Sequence, residues 1–340
     1  MLYSILIYSI IIISLNIYIK KKKYLSNYTG DNHQLFSNEQ NIPLLGGLFL
    51  LLPIILINYQ NFFYIFIIIL VFLIGFFSDQ KILKSPKKRF LFQVAVVFLS
   101  VIILDLEIIS SRVSLFDKFL SDSTFNIFFT SFCLLILING SNFIDGLNAL
   151  LLFYMSSVIF VLFKLDLLNE FYINKELLIY LLILILLIIF LNLINLLMLG
   201  DAGAYVLSFF VGYLIIKCHY SNALVSPYFF IALLWYPCFE ILFSIIRKLK
   251  TNLSPLIPDN DHLHQLLYLL LKKKMIKTKQ LANNLSSFMI SFVNLIIILI
   301  ASKDPFNSFY QIKLIFFSIF IYLFLFLFLK KKLTSKISIK

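Results

Sequence analysis

The stretch KELLIYLLILILLIIFLNLINLLMLGDAGAYVLSFFVGYLIIKCH, residues 175–219, decides what kind of protein this is. It holds two long apolar runs, 175–194 and 202–219, joined by a short connection that carries Asn195, Gly200 and Asp201. A helix of roughly 20 apolar residues is long enough to cross the hydrocarbon core of a bilayer. The stretch therefore reads as two spanning helices with one acidic residue between them at the membrane surface.

Working outward, the composition extends that reading to the whole chain. Of 340 residues, 61% are hydrophobic and only 13% are charged, and the mean hydropathy is +0.98. A water-soluble domain carries about twice that charge fraction, so lipid must be the solvent here. Eleven spans are read, at 2–19, 43–58, 61–77, 89–106, 125–138, 148–166, 175–194, 202–219, 225–246, 285–301 and 313–330. The second and fifth are short. The fold class expected is an all-α polytopic membrane protein, one integral membrane domain over residues 1–340, with no convincing internal repeat. Residues 247–284 are expected to form a large cytoplasmic loop.

Lys+Arg number 29 against 16 Asp+Glu. Such an excess could serve nucleic acid, anionic lipid or a phosphorylated substrate, but the positive-inside rule accounts for most of it. Basic residues are not interleaved with exposed aromatics in a soluble domain, which sets nucleic acid aside. The run 2–19 has no Lys or Arg before it and Lys20 to Lys23 after it, the reverse of a secretory leader. It reads as a first membrane helix with its amino end outside. The inner segments are then 20–42, 78–89, 139–147, 195–201, 247–284 and the tail, and they hold 22 of the 29 basic residues. That asymmetry puts the carboxyl terminus in the cytoplasm. Cys133, Cys218 and Cys238 are scattered and form no CxxC pair, so neither a disulfide framework nor a zinc site is indicated.

Five polar clusters fall on the inner side. Asn41-Ile-Pro-Leu-Leu-Gly46-Gly47 opens the second span, and paired glycines allow a helix or ligand to approach the backbone closely. Ser78-Asp79 ends the third span and is followed by Ser85-Pro86-Lys87-Lys88-Arg89. An acid beside the negative end of a helix dipole calls for a nearby cation. Asn139, Asn142, Asp145 and Asn148 recur every three residues, so on a helix alternate members share a face. Such a row is costly beside lipid unless it faces a wet or ligand-filled cleft. Asp201, flanked by Gly200 and Gly203, suits a hard cation such as Mg²⁺, and equally suits a helix amino-terminal cap. Finally, Asp261-His262-Leu-His264 follows Arg247 in the large inner loop. The two histidines diverge on a helix but converge on a strand or turn; without a nearby Cys or third His, phosphate binding fits them better than zinc. Carboxylates, amides, histidines and bases on one side describe a site for an anionic, metal-complexed substrate.

Across roughly residues 30–270 the chain resembles the polyprenyl-phosphate N-acetylhexosamine-1-phosphate transferases, glycosyltransferase family 4. The match rests on IPLLGG at 42–47, on Gly75…Asp79…SPKKR…Gln93, on Asn142-Phe-Ile-Asp145-Gly146-Leu-Asn148, on Leu199-Gly-Asp-Ala-Gly-Ala-Tyr205 and on His262-Leu-His264. The resemblance implies Mg²⁺-dependent transfer of a sugar-1-phosphate from a UDP-N-acetylhexosamine to undecaprenyl phosphate, with release of UMP, to start envelope glycan synthesis. It implies a multi-pass protein of the bacterial inner membrane with its active site on the cytoplasmic face; homodimerisation is a further expectation. Asp79, Asp145 and Asp201 would be catalytic, with Asp201 and Asp79 on the metal. Asn139, Asn142, Asn148, Arg247, His262 and His264 would bind substrate. The chain departs from the family pattern at Ser78, where an acid is usual, and at Asn148-Ala149. It also lacks a basic residue between His33 and Pro43 and another between Asn192 and Asp201. Two other readings compete: a transporter or lipid flippase, disfavoured because only Glu240 lies clearly inside a span, and a catalytically lapsed paralogue, which Ser78 keeps in play.

Overall fold

The computed structural model describes residues 2–22, 25, 42–168, 174–252, 254, 261–274, 276 and 278–334. Asn41, the stretch 255–260 with Pro258 and Asp259, most of the first inner segment and both termini lie outside the described residues.

Thirteen helices follow one another among the described residues: α1 (Leu2–Lys22), α2 (Gly46–Ile57), α3 (Phe62–Asp79), α4 (Pro86–Ile103), α5 (Ser114–Leu120), α6 (Ser123–Ile144), α7 (Leu150–Lys164), α8 (Lys175–Leu193), α9 (Gly200–Ser221), α10 (Pro227–Lys250), α11 (Leu263–Lys274), α12 (Lys279–Ala301) and α13 (Ser308–Thr334). No strand forms among them, and a single isolated parallel bridge joins Leu44 to Met198. The chain is thus the all-helical, multi-pass membrane protein expected from its composition. A helix coincides with each of the eleven predicted spans. Seven of them (α3, α6, α8, α9, α10, α12 and α13) are long and apolar enough to cross a membrane, while α2 and α7 are shorter apolar helices.

Helix starts follow from local chemistry. Asn61 accepts the Tyr64 amide at the head of α3, and Asp122 accepts the Phe125 amide at the head of α6. Ser-Pro pairs open α4 and α10, where proline at the first helical position lacks an N–H that would have no partner anyway. Two expected loops are corrected. Residues 139–147 were expected between spans, yet α6 runs on to Ile144, because its polar last turns face protein rather than lipid. The expected loop 247–284 contains the end of α10, the whole of α11 and the start of α12. The apolar residues of Leu263–Leu271 pack α11 against α12 and α13, which makes it part of the bundle.

Helix α9 is the axis of the molecule: it is buried along nearly its whole length, and α2, α3, α6 and α7 surround it. Small residues let two of these neighbours reach its backbone. A methyl group on Gly75 of α3 would collide with the main chain of Asp201 and Ala202. Gly47 of α2 lies against Ala202 and Gly203 in the same way. Before α9 begins, Met198 N–H donates to Pro43, and the Gly46 and Gly47 amides donate to Met198 and Leu199 at 3.0 and 3.2 Å. The IPLLGG segment and the LGDAGA segment, some 150 residues apart in sequence, are therefore fastened by main-chain bonds.

Candidate active site

Three helix ends meet at one end of the bundle: the carboxyl ends of α3 and α6 and the amino end of α9. Asp79, the last residue of α3, points both carboxylate oxygens at the first turn of α9. Its Oδ1 accepts the Asp201 amide at 2.9 Å and its Oδ2 the Ala202 amide at 3.1 Å. An acid at the wrong end of its own dipole is thus stabilised by the amino end of a neighbouring helix. Gly200 is required beside it, with φ at +75° and no room for a Cβ against Asp79 Oδ2.

This corrects the helix-cap reading of Asp201. The cap of α9 comes from Asp79, not from Asp201, whose side chain is left for other work. Asp201 Oδ2 accepts from the Ser78 hydroxyl at 2.5 Å and from Arg89 Nη1 at 2.9 Å; Arg89 also donates to Ser78 Oγ at 2.7 Å. Its Oδ1 takes none of these bonds. Arg89 stands in the first turn of α4. Sequence reading placed it in a topogenic Lys/Arg run; only the fold shows that it faces the acids, three residues past Pro86.

Asp145 caps the carboxyl end of α6. Its side chain is half-buried by surface exposure yet ringed by protein. Burial, then the negative charges of Asp201 and Asp79, push its carboxyl well above the usual carboxylate range. Three aspartates therefore share one electrostatic neighbourhood that Arg89 only partly neutralises. Among the described residues no three Asp, Glu, His or Cys side chains stand close enough to ligate one ion together. Mg²⁺ does not need such a cage; it binds through one or two carboxylates plus substrate phosphates and water. The donor chemistry would suit it, with Asp201 Oδ1 and Asp145 as the candidate carboxylates; Asp79, expected beside Asp201 on the metal, instead gives both oxygens to the amides of α9.

The His-Leu-His segment reaches this end from below. His264, fully buried, sets its Nε2 against Gly146, where a side chain would meet it at 3.0 Å. His262 stacks on His264 with centroids 5.6 Å apart and presents an edge to Phe143 at 5.2 Å. The rings converge because His262 precedes α11 while His264 lies in its first turn. Arg247 donates to the Asp261 carbonyl, and Lys330 of α13 bonds the Asp261 carboxylate at 2.8 Å, so Arg247 anchors this segment. Buried Lys248 brings its amine over the Phe143 ring at 5.9 Å, a cation that sequence reading passed over.

The amide row divides. Asn142 rides the last turns of α6, and Asn139 donates back to Leu135 within it. Asn148 stands apart from them. Both hydrogens of its Nδ2 go to Asn195 and Asn284 at 2.9 Å each, and its backbone amide goes to Asn283. Asn192 accepts the Ala149 amide at 2.6 Å, where the chain turns through a left-handed φ of +58°. This buried amide network shapes the turn after Asp145.

A multi-pass helical membrane protein with clustered aspartates, an arginine and a histidine pair at one end of the bundle is the class this geometry defines. Residues 61–219 match the family model of glycosyl transferase family 4. The chain is also 23% identical, over 250 residues, to the undecaprenyl-phosphate alpha-N-acetylglucosaminyl 1-phosphate transferase of Thermotoga maritima; the alignment covers 74% of this chain and 75% of that protein. Both bear out the family resemblance carried by the motifs.

Proposed function

We propose that the protein transfers an N-acetylhexosamine-1-phosphate from a UDP-sugar to undecaprenyl phosphate, releasing UMP. The observation that carries this reading is the meeting of Asp145, Asp201 and Arg89 at the amino end of α9, with Asp79 holding that end in place. A lipid phosphate oxygen attacks the sugar-bearing phosphorus of the donor. The phosphoanhydride bond to the nucleotide phosphate breaks, and UMP leaves with the bridging oxygen and its electrons. The lipid phosphate is already largely ionised at neutral pH, its second pKa being about 6 by analogy with other phosphomonoesters. Positioning therefore matters more than proton removal.

Bound Mg²⁺ supplies charge neutralisation on the pyrophosphate. Asp201 and Asp145 would hold the cation. Arg89, paired with Asp201, would place its guanidinium beside the substrate phosphates. His262, His264 and Asn142 line the donor side. In the membrane all eleven predicted spans cross, including the shorter α2 and α7, with the amino end outside and this site on the cytoplasmic face of the inner membrane. There the product would start an envelope glycan.

Purified protein with Mg²⁺, undecaprenyl phosphate and a panel of UDP-N-acetylhexosamines should release UMP with at least one donor. Asp201→Asn should lower that release by at least 100-fold at unchanged membrane expression, about 3 kcal/mol of transition-state stabilisation. Release near the wild-type rate would remove Asp201 from the site. No release by the wild type with any donor would sink the reading.

A further inference from the structure

Glu240 is the one acid well inside α10, and it is 1% exposed. An ionisable group at such a depth is costly unless it has a task and a partner. Two of its contacts are in the His-Leu-His segment, and Tyr322 of α13 lies beside its carboxylate as well. Glu240 Oε1 lies 3.0 Å from His262 Nδ1 and accepts the Leu263 amide at 3.2 Å. Leu263 is the first residue of α11, so the same oxygen caps that helix and holds the ring before it. An ionised carboxylate only accepts hydrogen bonds, so in this contact Nδ1 carries the proton. That fixes the ring's orientation and leaves Nε2 as the nitrogen not engaged by Glu240. The ring so held stacks on His264, which sits against Gly146, the residue after Asp145. A continuous line of contact therefore runs from the middle of α10 to the acidic end of the bundle.

We propose that Glu240 is a positioning residue for the transfer: it orients His262, and through His262 the His262–His264 pair, toward the substrate phosphates. The proposal rests on the functional reading above. A glutamate placed only to stabilise packing has no reason to meet a histidine of the site, and an apolar side chain would fill the interior of α10 equally well.

The test uses the full chain in nanodiscs, with Glu240→Gln, Glu240→Ala, His262→Ala and the double variant. Glu240→Gln keeps an oxygen that can accept from both Nδ1 and Leu263, so it should retain release of UMP within about tenfold of wild type. Glu240→Ala should lower kcat by about 10- to 100-fold, the usual effect of removing such a partner. In the His262→Ala background the same change should add little, because Glu240 acts through that ring. Equal losses in both backgrounds, or wild-type kcat in Glu240→Ala, overturn the proposal. If Glu240→Ala does not fold, the cycle is run with Glu240→Gln, where any loss that persists without His262 overturns it. Amide exchange at residues 261–266 reads the contact without reference to transfer. Protection there should fall in Glu240→Ala and persist in Glu240→Gln, and unchanged protection in Glu240→Ala overturns the proposal. Absence of UMP from the wild type would instead sink the functional reading, leaving the exchange result to judge Glu240.

Discussion

Ser78 is one place where this chain departs from the pattern of the family it resembles, and the structure shows what a hydroxyl does there. It donates to Asp201 and accepts from Arg89, while its neighbour Asp79 is fully engaged with the amides of α9. A carboxylate at position 78 would face the Asp201 carboxylate directly, and like charges at such a distance disfavour each other. We expect the wild type to turn over without a second acid and Ser78→Asp to bring no gain. Ser78→Ala removes a hydrogen bond to a charged group, a change of about 1.5–3 kcal/mol or roughly 10- to 100-fold. Asp79→Asn should cost more in rate and in thermal stability, because an amide offers one acceptor where two N–H groups converge and turns a donor toward the other. UMP-release rates at pH 6 and pH 8, with melting curves in detergent, check the series. An inactive wild type rescued by Ser78→Asp would mean that two acids are needed and that the chain has lapsed.

At the scale of elements, the site depends on how closely α3 approaches α9. Gly75 meets backbone atoms of Asp201 and Ala202, which cannot move without shifting the turn that Asp79 caps. Gly212, further along α9, instead faces the tips of the Leu134 and Leu137 side chains, which can rotate away. Gly75→Ala should therefore destabilise the protein by about 1–3 kcal/mol through overpacking and reduce transfer along with it. Gly212→Ala should lower the melting temperature less and leave kcat near wild type. Equal shifts for the two variants would show that the α3–α9 contact does not position the site.

For the molecule as a whole, the arrangement of charge is the testable feature. Arg112, at the opposite end of the bundle, donates to the carbonyls of Phe306 and Leu224 and to Ser308, tying loops together there. Of the 29 basic residues, 22 fall in the segments expected on the inner side. With eleven spans, a tag at Lys340 should react only with cytoplasmic probes, and one at Met1 should react from outside. Labelling of both ends from one side would mean an even number of crossings, with α1, α2, α4 or α7 as the helix that does not cross.

Apolar run length and composition by themselves determined the helical, multi-pass architecture, because the energy of placing side chains in lipid is local and additive along a chain. The order of the motifs carried the family resemblance and named Asp79, Asp145 and Asp201. Which of those acids caps a helix was decided only by tertiary structure. So were the place of Arg89 beside Asp201, the turning of Asn148 into a buried amide network and the link from Glu240 to His262. The physical reason is the same in each case. Lipid imposes a solvent on every residue in turn, whereas a hydrogen bond or ion pair depends on which helix ends meet, and those partners here lie 22 to 136 residues apart.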